Sequence, residues 1–289
     1  MGSFFLYSLE VALCLAVLFT IYYGLLGKET FFAFNRISLL TLVLVSLVVP
    51  FIHVDLSFWG TNIAIPSLDF QYEISLLATN LSSTLSTALS TDVADSSPQT
   101  ITPSLWIGLF LAIIYMAGVL FFIGRYALSM LQIGHMIRRG ESVRQPDGVY
   151  LVRSASCQTP FSWMHYIVVP AQETVTTPLY LHELAHIKAG HSWDLLLINL
   201  VVAFQWFNPA VWFLRRHLEN VHEFQADAQV LKSGANSKEY QLLLIQKAVN
   251  PQLFALANSL TQQKLKKRLS MMWQKKSNPW ARSACFPSR

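Results

Sequence analysis

The chain has 289 residues, 53% of them hydrophobic and only 13% charged, against roughly 25% charged in an average soluble domain; its mean hydropathy is +0.40. That composition excludes a free-standing soluble enzyme, a disordered chain and a collagen-like one, and Cys14, Cys157 and Cys285 lie too far apart for a disulfide framework or a zinc ribbon. The net charge of +5 hides a step: residues 1–124 hold 2 Lys/Arg against 7 Asp/Glu, while residues 125–289 hold 19 against 9.

Three stretches predict transmembrane helices: Phe4–Leu26, apolar except for Glu10, then Ile37–Val54 and Leu105–Gly124, both uncharged. Each approaches the roughly 20 residues that cross about 30 Å of hydrocarbon. No Lys or Arg precedes the first and no A-x-A site follows it, so it is not a cleavable signal peptide. Glu10 lies near the end of its helix, where snorkelling to the interface is the expectation. Lys28 and Arg36 flank the first loop, residues 37–124 carry no Lys or Arg, and Arg125, Arg138 and Arg139 follow the third helix. The positive-inside rule then places the N-terminus outside, loop 27–36 inside, loop 55–104 outside and everything after Arg125 in the cytoplasm of a bacterial inner membrane. Within the outer loop, 12 of the 24 residues from Thr79 to Thr102 are Ser or Thr, a composition for a flexible linker.

Past the third span, Tyr126–Arg139 reads as its amphipathic continuation. Val149–Arg153 and Tyr166–Pro170 read as paired strands, the latter a possible edge for substrate pairing. Thr177-Pro178 starts a helix that Gly190 ends. Ser192 is expected to cap the next helix, running through Leu195–Phe207. Asn208-Pro209 opens another that reaches Leu231, with Gly234 beyond it.

The helix before Gly190 contains His182-Glu183-Leu184-Ala185-His186. Residues four apart share a helix face, so both imidazoles can reach one ion, and Glu183 beside them is placed to take a proton from a water. Zinc suits such a site because it accepts neutral imidazole and is redox-inert. Ala189 and Ser192 stand where the metzincin pattern needs Gly and His, which excludes that arrangement. His191 would have to reach back across Gly190 and is expected to be a polar loop histidine. A carboxylate on another helix is the better third ligand, and Glu219, Glu223 and Asp227, spaced by four in the helix that Asn208-Pro209 opens, share one face.

His182-Glu-Leu-Ala-His186, Phe207-Asn208-Pro209 and His222-Glu-Phe-Gln-Ala-Asp227 together resemble the BlaR/MecR-type membrane zinc metallopeptidases. Glu29-Thr-Phe-Phe, Asn35-Arg36 and Pro160-Phe-Ser add to the resemblance, which covers most of residues 1–276. It implies His182, His186 and Glu223 as zinc ligands, Glu183 as the catalytic acid/base and Asp227 as the group that orients a ligand histidine. It also implies a mainly α membrane protein: three spans plus a cytoplasmic gluzincin-like zinc peptidase domain with a small β-hairpin or sheet. The implied activity is that of a zinc endopeptidase cleaving a cytoplasmic protein, expected to be a transcriptional repressor, in signal transduction. Two arguments from the residues also favour Glu223 over Glu219. Asp227 lies one turn beyond Glu223, where it can orient a histidine, and Glu219 has Arg215 at i−4 as an ordinary surface partner.

The domain organisation then runs 1–54 (first two spans), 55–104 (outer loop), 105–139 (third span and extension), 140–263 (peptidase) and 264–289 (basic segment). Lys264, Lys266, Lys267, Arg268, Lys275 and Lys276 suit anionic lipid headgroups, and no nucleic-acid partner is expected. Relatives continue into a fourth span and often a sensor domain, so a shortened form is the expectation for a chain ending at Arg289. The competing readings are a housekeeping membrane protease resembling HtpX or the CAAX-prenyl proteases, and a non-proteolytic signal relay.

Overall fold

The structure, a computed structural model, describes residues 2–27, 30–51, 103–249 and 255–273. The outer loop, Cys285 and the last basic residues fall outside them. Helix α1 (Gly2–Leu26) contains the first predicted span, and its Tyr7–Leu26 portion is long and apolar enough to cross a membrane. Helix α3 (Pro103–Arg139) joins the third predicted span and its extension in one helix of 37 residues, about 55 Å long. Leu9, Leu13 and Ile21 of α1 and Phe110, Leu120 and Phe121 of α3 are each more than half exposed, as lipid-facing side chains are.

The second span differs from its prediction. Helix α2 (Phe32–Val48) starts earlier than Ile37 and stops before Pro50, whose ring cannot continue a helix; a 3₁₀ turn over Val49–Phe51 follows. Its 17 residues reach about 25 Å, at the lower limit for a span. It packs against α1 as a hairpin.

After α3 comes a four-stranded sheet: β1 (Glu141–Arg144), β2 (Tyr150–Ser154), β3 (Phe161–Trp163) and β4 (Tyr166–Pro170), in the order β1-β2-β4-β3. The two strands read from sequence are neighbours but parallel, Tyr150 opposite Tyr166 and Ser154 opposite Pro170, so they are not a hairpin. The hairpins are β1–β2 and β3–β4, both antiparallel. β1 and β3 escaped prediction because β1 is exposed throughout and β3 has three residues. Consequently β4 is paired on both sides and offers no edge; the free edges are those of β1 and β3. Alternation along β4 splits its side chains between two faces. Ile167 and Val169 pack with Leu184 of the helix that follows, and Val168 packs with Met136 and Ile137 of α3.

Helices α4 (Thr177–Ala189) and α5 (His191–Phe204) meet at Gly190, which holds φ 72° and serves as C-cap of one and N-cap of the other. A left-handed residue there favours glycine. The single shared residue leaves no loop, so α5 starts at His191 rather than near Leu195, bent 61° from α4. Ser192 does not cap it: its Oγ accepts the Met164 N–H at 3.0 Å. Counted as one bent element, the pair has the length and composition of a third span; α4 packs against β3 and β4, and α5 against α3. Helix α6 (Pro209–Lys232) starts as read, with Asn208 Oδ1 accepting the Ala210 N–H at 2.9 Å. Helices α7 (Ser237–Val249) and α8 (Ala255–Trp273) complete the described chain, and the boundary drawn at 263/264 falls inside α8.

One core joins these parts. Leu15, Tyr22 and Leu26 of α1, Leu39, Leu42 and Val43 of α2, Ile198, Val201 and Val202 of α5, and Val211, Leu214, Leu218 and Val221 of α6 form one buried cluster. Burying a side chain of this size is worth about 1.5–3 kcal/mol, so the α1–α2 hairpin is bound to α5 and α6 by core packing rather than by a linker. Gly118 permits the crossing of α3 over the end of α5, because a Cβ there would overlap the Trp206 indole.

Candidate metal centre

Side chains of α4 and α6 converge on one point. Nε2 of His182 lies 3.2 Å from Nε2 of His186, and each is 3.6 Å from a different oxygen of Glu223. These three residues are the group of potential ligands found among the described residues. A tetrahedral ion with bonds of about 2.0–2.1 Å sets its ligand atoms about 3.3–3.5 Å apart; the two imidazole nitrogens are close to that spacing and a carboxylate faces both, a donor set that suits zinc. The side chains of His182 and His186 are 8% and 14% exposed, that of Glu223 35%. The two imidazoles are thus more enclosed than the Glu223 carboxylate. Glu183, the residue after His182 on α4, is buried with them.

The other nitrogen of each histidine has its own partner. Nδ1 of His182 lies 3.2 Å from Oδ1 of Asp227 and 2.9 Å from the Tyr240 hydroxyl, which also donates to Asp227 at 2.8 Å. Burial alone would depress the His182 pKa, but hydrogen bonds to Asp227 and Glu223 outweigh it and push the value up to about 9. On the other histidine burial prevails, reinforced by the charge of His182, and lowers His186 to about 4. Burial would likewise raise the carboxyls of Glu223 and Asp227. The hydrogen bond from His182 and the guanidinium of Arg268 instead hold both well below the ordinary carboxylate range. Arg268 of α8 reaches both, with Nη2 2.6 Å from Asp227 Oδ1, Nε 2.9 Å from Asp227 Oδ2 and Nη1 3.0 Å from Glu223.

Beyond His186 lies a second buried group. Its Nδ1 is 2.7 Å from Nδ1 of His191, whose Nε2 is 3.3 Å from Oε1 of Gln225. The His191 ring stacks on His222 with centroids 4.0 Å apart. His222 Nε2 lies 2.8 Å from Asp194, which Arg36 of α2 grips with Nε at 2.6 Å and Nη2 at 3.1 Å.

Of the residues read from sequence, His182, His186 and Glu223 come together at the cluster, Asp227 lies behind His182, and Glu183 is buried on the same helix as the two histidines. Glu219 sits apart, paired with Arg215 at 3.2 Å and Lys264 at 3.4 Å. His191 departs from its reading, since it is buried in the first turn of α5 and not a loop residue. Arg268 departs as well, because it turns into the site while Lys264, Lys266 and Lys267 stay exposed. Its signal was available: Arg268 falls on the apolar stripe of Leu265 and Met272, at i+3 and i+7. Asp194, a lone charge at the head of an apolar helix, signalled a buried partner. Tyr240 carried no local sign.

No curated protein matches the chain. The BlaR1 peptidase M56 family matches residues 4–272, so the match takes in both membrane-length helices, the sheet and every residue of this site. The chain belongs to that peptidase family.

Proposed function

We propose that this protein is a zinc-dependent endopeptidase of the inner membrane, built on the gluzincin plan, with its peptidase domain in the cytoplasm. His182, His186 and Glu223 hold the metal and Glu183 is the general base. The observation that carries the reading is the cluster itself: two imidazoles and a carboxylate converging on one point, with Glu183 buried on the helix of the two imidazoles. Zinc bound there would polarise the scissile carbonyl and bring the pKa of a water to about 7. Glu183 takes the proton from the attacking water and returns it to the leaving amine. Asp227 and Tyr240 keep the His182 ring turned toward the metal, and Arg268 balances two buried carboxylates. The substrate chain pairs with the free edge of β3, which lies against α4. Its substrate is a cytoplasmic protein, a transcriptional repressor by family resemblance, and the exposed lysines of α8 face anionic lipid.

Glu183→Gln tests the chemistry. The purified variant should hold as much zinc as wild type and cleave an unfolded protein ~10²–10⁴-fold more slowly. Turnover within tenfold of wild type with zinc bound would remove Glu183 as the base. Cleaved N-termini compared across the proteome between wild type and this variant identify the substrate. Alkaline-phosphatase activity from a periplasmic fusion after Arg139 would overturn the orientation.

A further inference from the structure

His191 lies 2% exposed in the first turn of α5, two residues past the end of the helix that carries His182 and His186. Both its ring nitrogens are engaged, and the two contacts constrain each other. The Gln225 oxygen can only accept, so the Nε2 of His191 that faces it at 3.3 Å carries the proton and Nδ1 is bare. A bare Nδ1 at 2.7 Å from Nδ1 of His186 requires the proton on the latter. His186 then keeps a bare Nε2, the atom it directs at the cluster with His182 and Glu223.

We propose that His191 is the positioning residue for His186: it accepts the Nδ1 proton of His186 and so fixes the tautomer whose Nε2 is free to bind zinc. The inference rests on the zinc reading above. Ligand histidines usually give this proton to a carboxylate, a carbonyl or a water; here a second imidazole takes it. His191 in turn has little freedom to swing. Its face lies on His222 with 12° between the rings, and His222 is tied through Asp194 to Arg36. Gln225 belongs to α6, the helix of Glu223, so the helix that supplies the carboxylate ligand also sets the proton on the imidazole ligand of α4.

The test uses the full chain in detergent micelles, with zinc titrated against a chromophoric chelator. His191→Leu should weaken zinc binding ~10–100-fold at an unchanged melting temperature. His191→Asn, whose amide oxygen can accept close to the Nδ1 position, should recover most of the loss. Wild-type affinity in His191→Leu overturns the proposal, as does a loss in His191→Asn equal to that in His191→Leu, which would mean the ring only packs. A wild-type chain that binds no zinc overturns the zinc reading instead. Nitrogen NMR of His186 in metal-free wild type decides independently of any variant: a proton on Nδ1 is expected, and a proton on Nε2 with Nδ1 bare refutes it.

Discussion

His182 and His186 stand one turn apart on the same helix, yet one is backed by charged side chains and the other by imidazoles. Behind His182 lie Asp227, Tyr240 and Arg268, a charged group supplied by α6, α7 and α8. Behind His186 lies His191, then the stacked His222, and only after these the Asp194–Arg36 pair against α2. The carboxylates raise the pKa of His182 to about 9, while burial, reinforced by the charge of His182, lowers His186 to about 4. A metal centre assembled this way receives charge through one ligand and tautomer control through the other. It also joins two distant parts of the chain, the membrane hairpin and the C-terminal helices.

The most severe way to break that comparison is to remove the ligand both halves share. Glu223→Ala should strip the protein of zinc, whereas Glu219→Ala, with its partners Arg215 and Lys264 on the exposed side, should leave metal content unchanged. Metal analysis of the two purified variants checks this, and the reverse result would move the third ligand one turn along α6.

The unequal pKa values predict a proton count. Without metal, His182 is expected to be protonated at pH 7, because hydrogen bonds to Asp227 and Glu223 push its pKa up to about 9. Zinc must displace that proton, since only neutral imidazole ligates. His186, neutral above about 4, releases none. Calorimetry at pH 7 in buffers of different ionisation enthalpy should therefore find about one proton released, and apparent affinity should fall about tenfold per pH unit below about 9. Two protons would mean that the imidazole side is charged as well.

Asp227→Ala sharpens the same contrast. Losing the acceptor behind His182 should weaken zinc ~10–100-fold, and the pH below which affinity falls should move down, because the carboxylate that held the proton is gone. Tyr240→Phe removes one of two hydrogen bonds to His182 and should cost less than Asp227→Ala. A loss in Tyr240→Phe as large as in Asp227→Ala would transfer the orienting role to the hydroxyl.

These halves were not equally legible in the sequence. Spacing by four exposed His182, His186, Glu223 and Asp227, because a regular helix turns sequence spacing into a shared face. The caps at Gly190 and Asn208 could be read for the same local reason. What spacing cannot reveal is a contact between elements: Tyr240 and Arg268 reach Asp227 from 13 and 41 residues away. Arg36 reaches Asp194 across 158. His191 was misread because Gly190 signalled a loop where one left-handed residue joins two helices directly. The strands were found from β-branched runs, but their parallel pairing follows from β3 inserting beside β4, and a three-residue strand leaves little pattern. Apolar length located α2 while Pro50 set its end.

The smallest expected effect concerns the membrane hairpin. Arg36 holds Asp194 through two nitrogens, a fork that lysine cannot reproduce, and its side chain is 19% exposed against 7% for Asp194. Arg36→Ala leaves that buried carboxylate with His222 alone, and a hydrogen bond to a charged group is worth about 1.5–3 kcal/mol. Part of that is recovered as water enters beside the exposed end of the arginine. Four contacts separate Arg36 from His186, and one of them is only the stacking of His191 on His222. Thermal unfolding in micelles should therefore fall measurably while zinc affinity drops less than in His191→Leu, with Arg36→Lys between wild type and Arg36→Ala on both scales. Should zinc affinity fall in Arg36→Ala as far as in Asp227→Ala, the imidazole side would not be the passive half: α2 would then set the metal site as strongly as the C-terminal helices do.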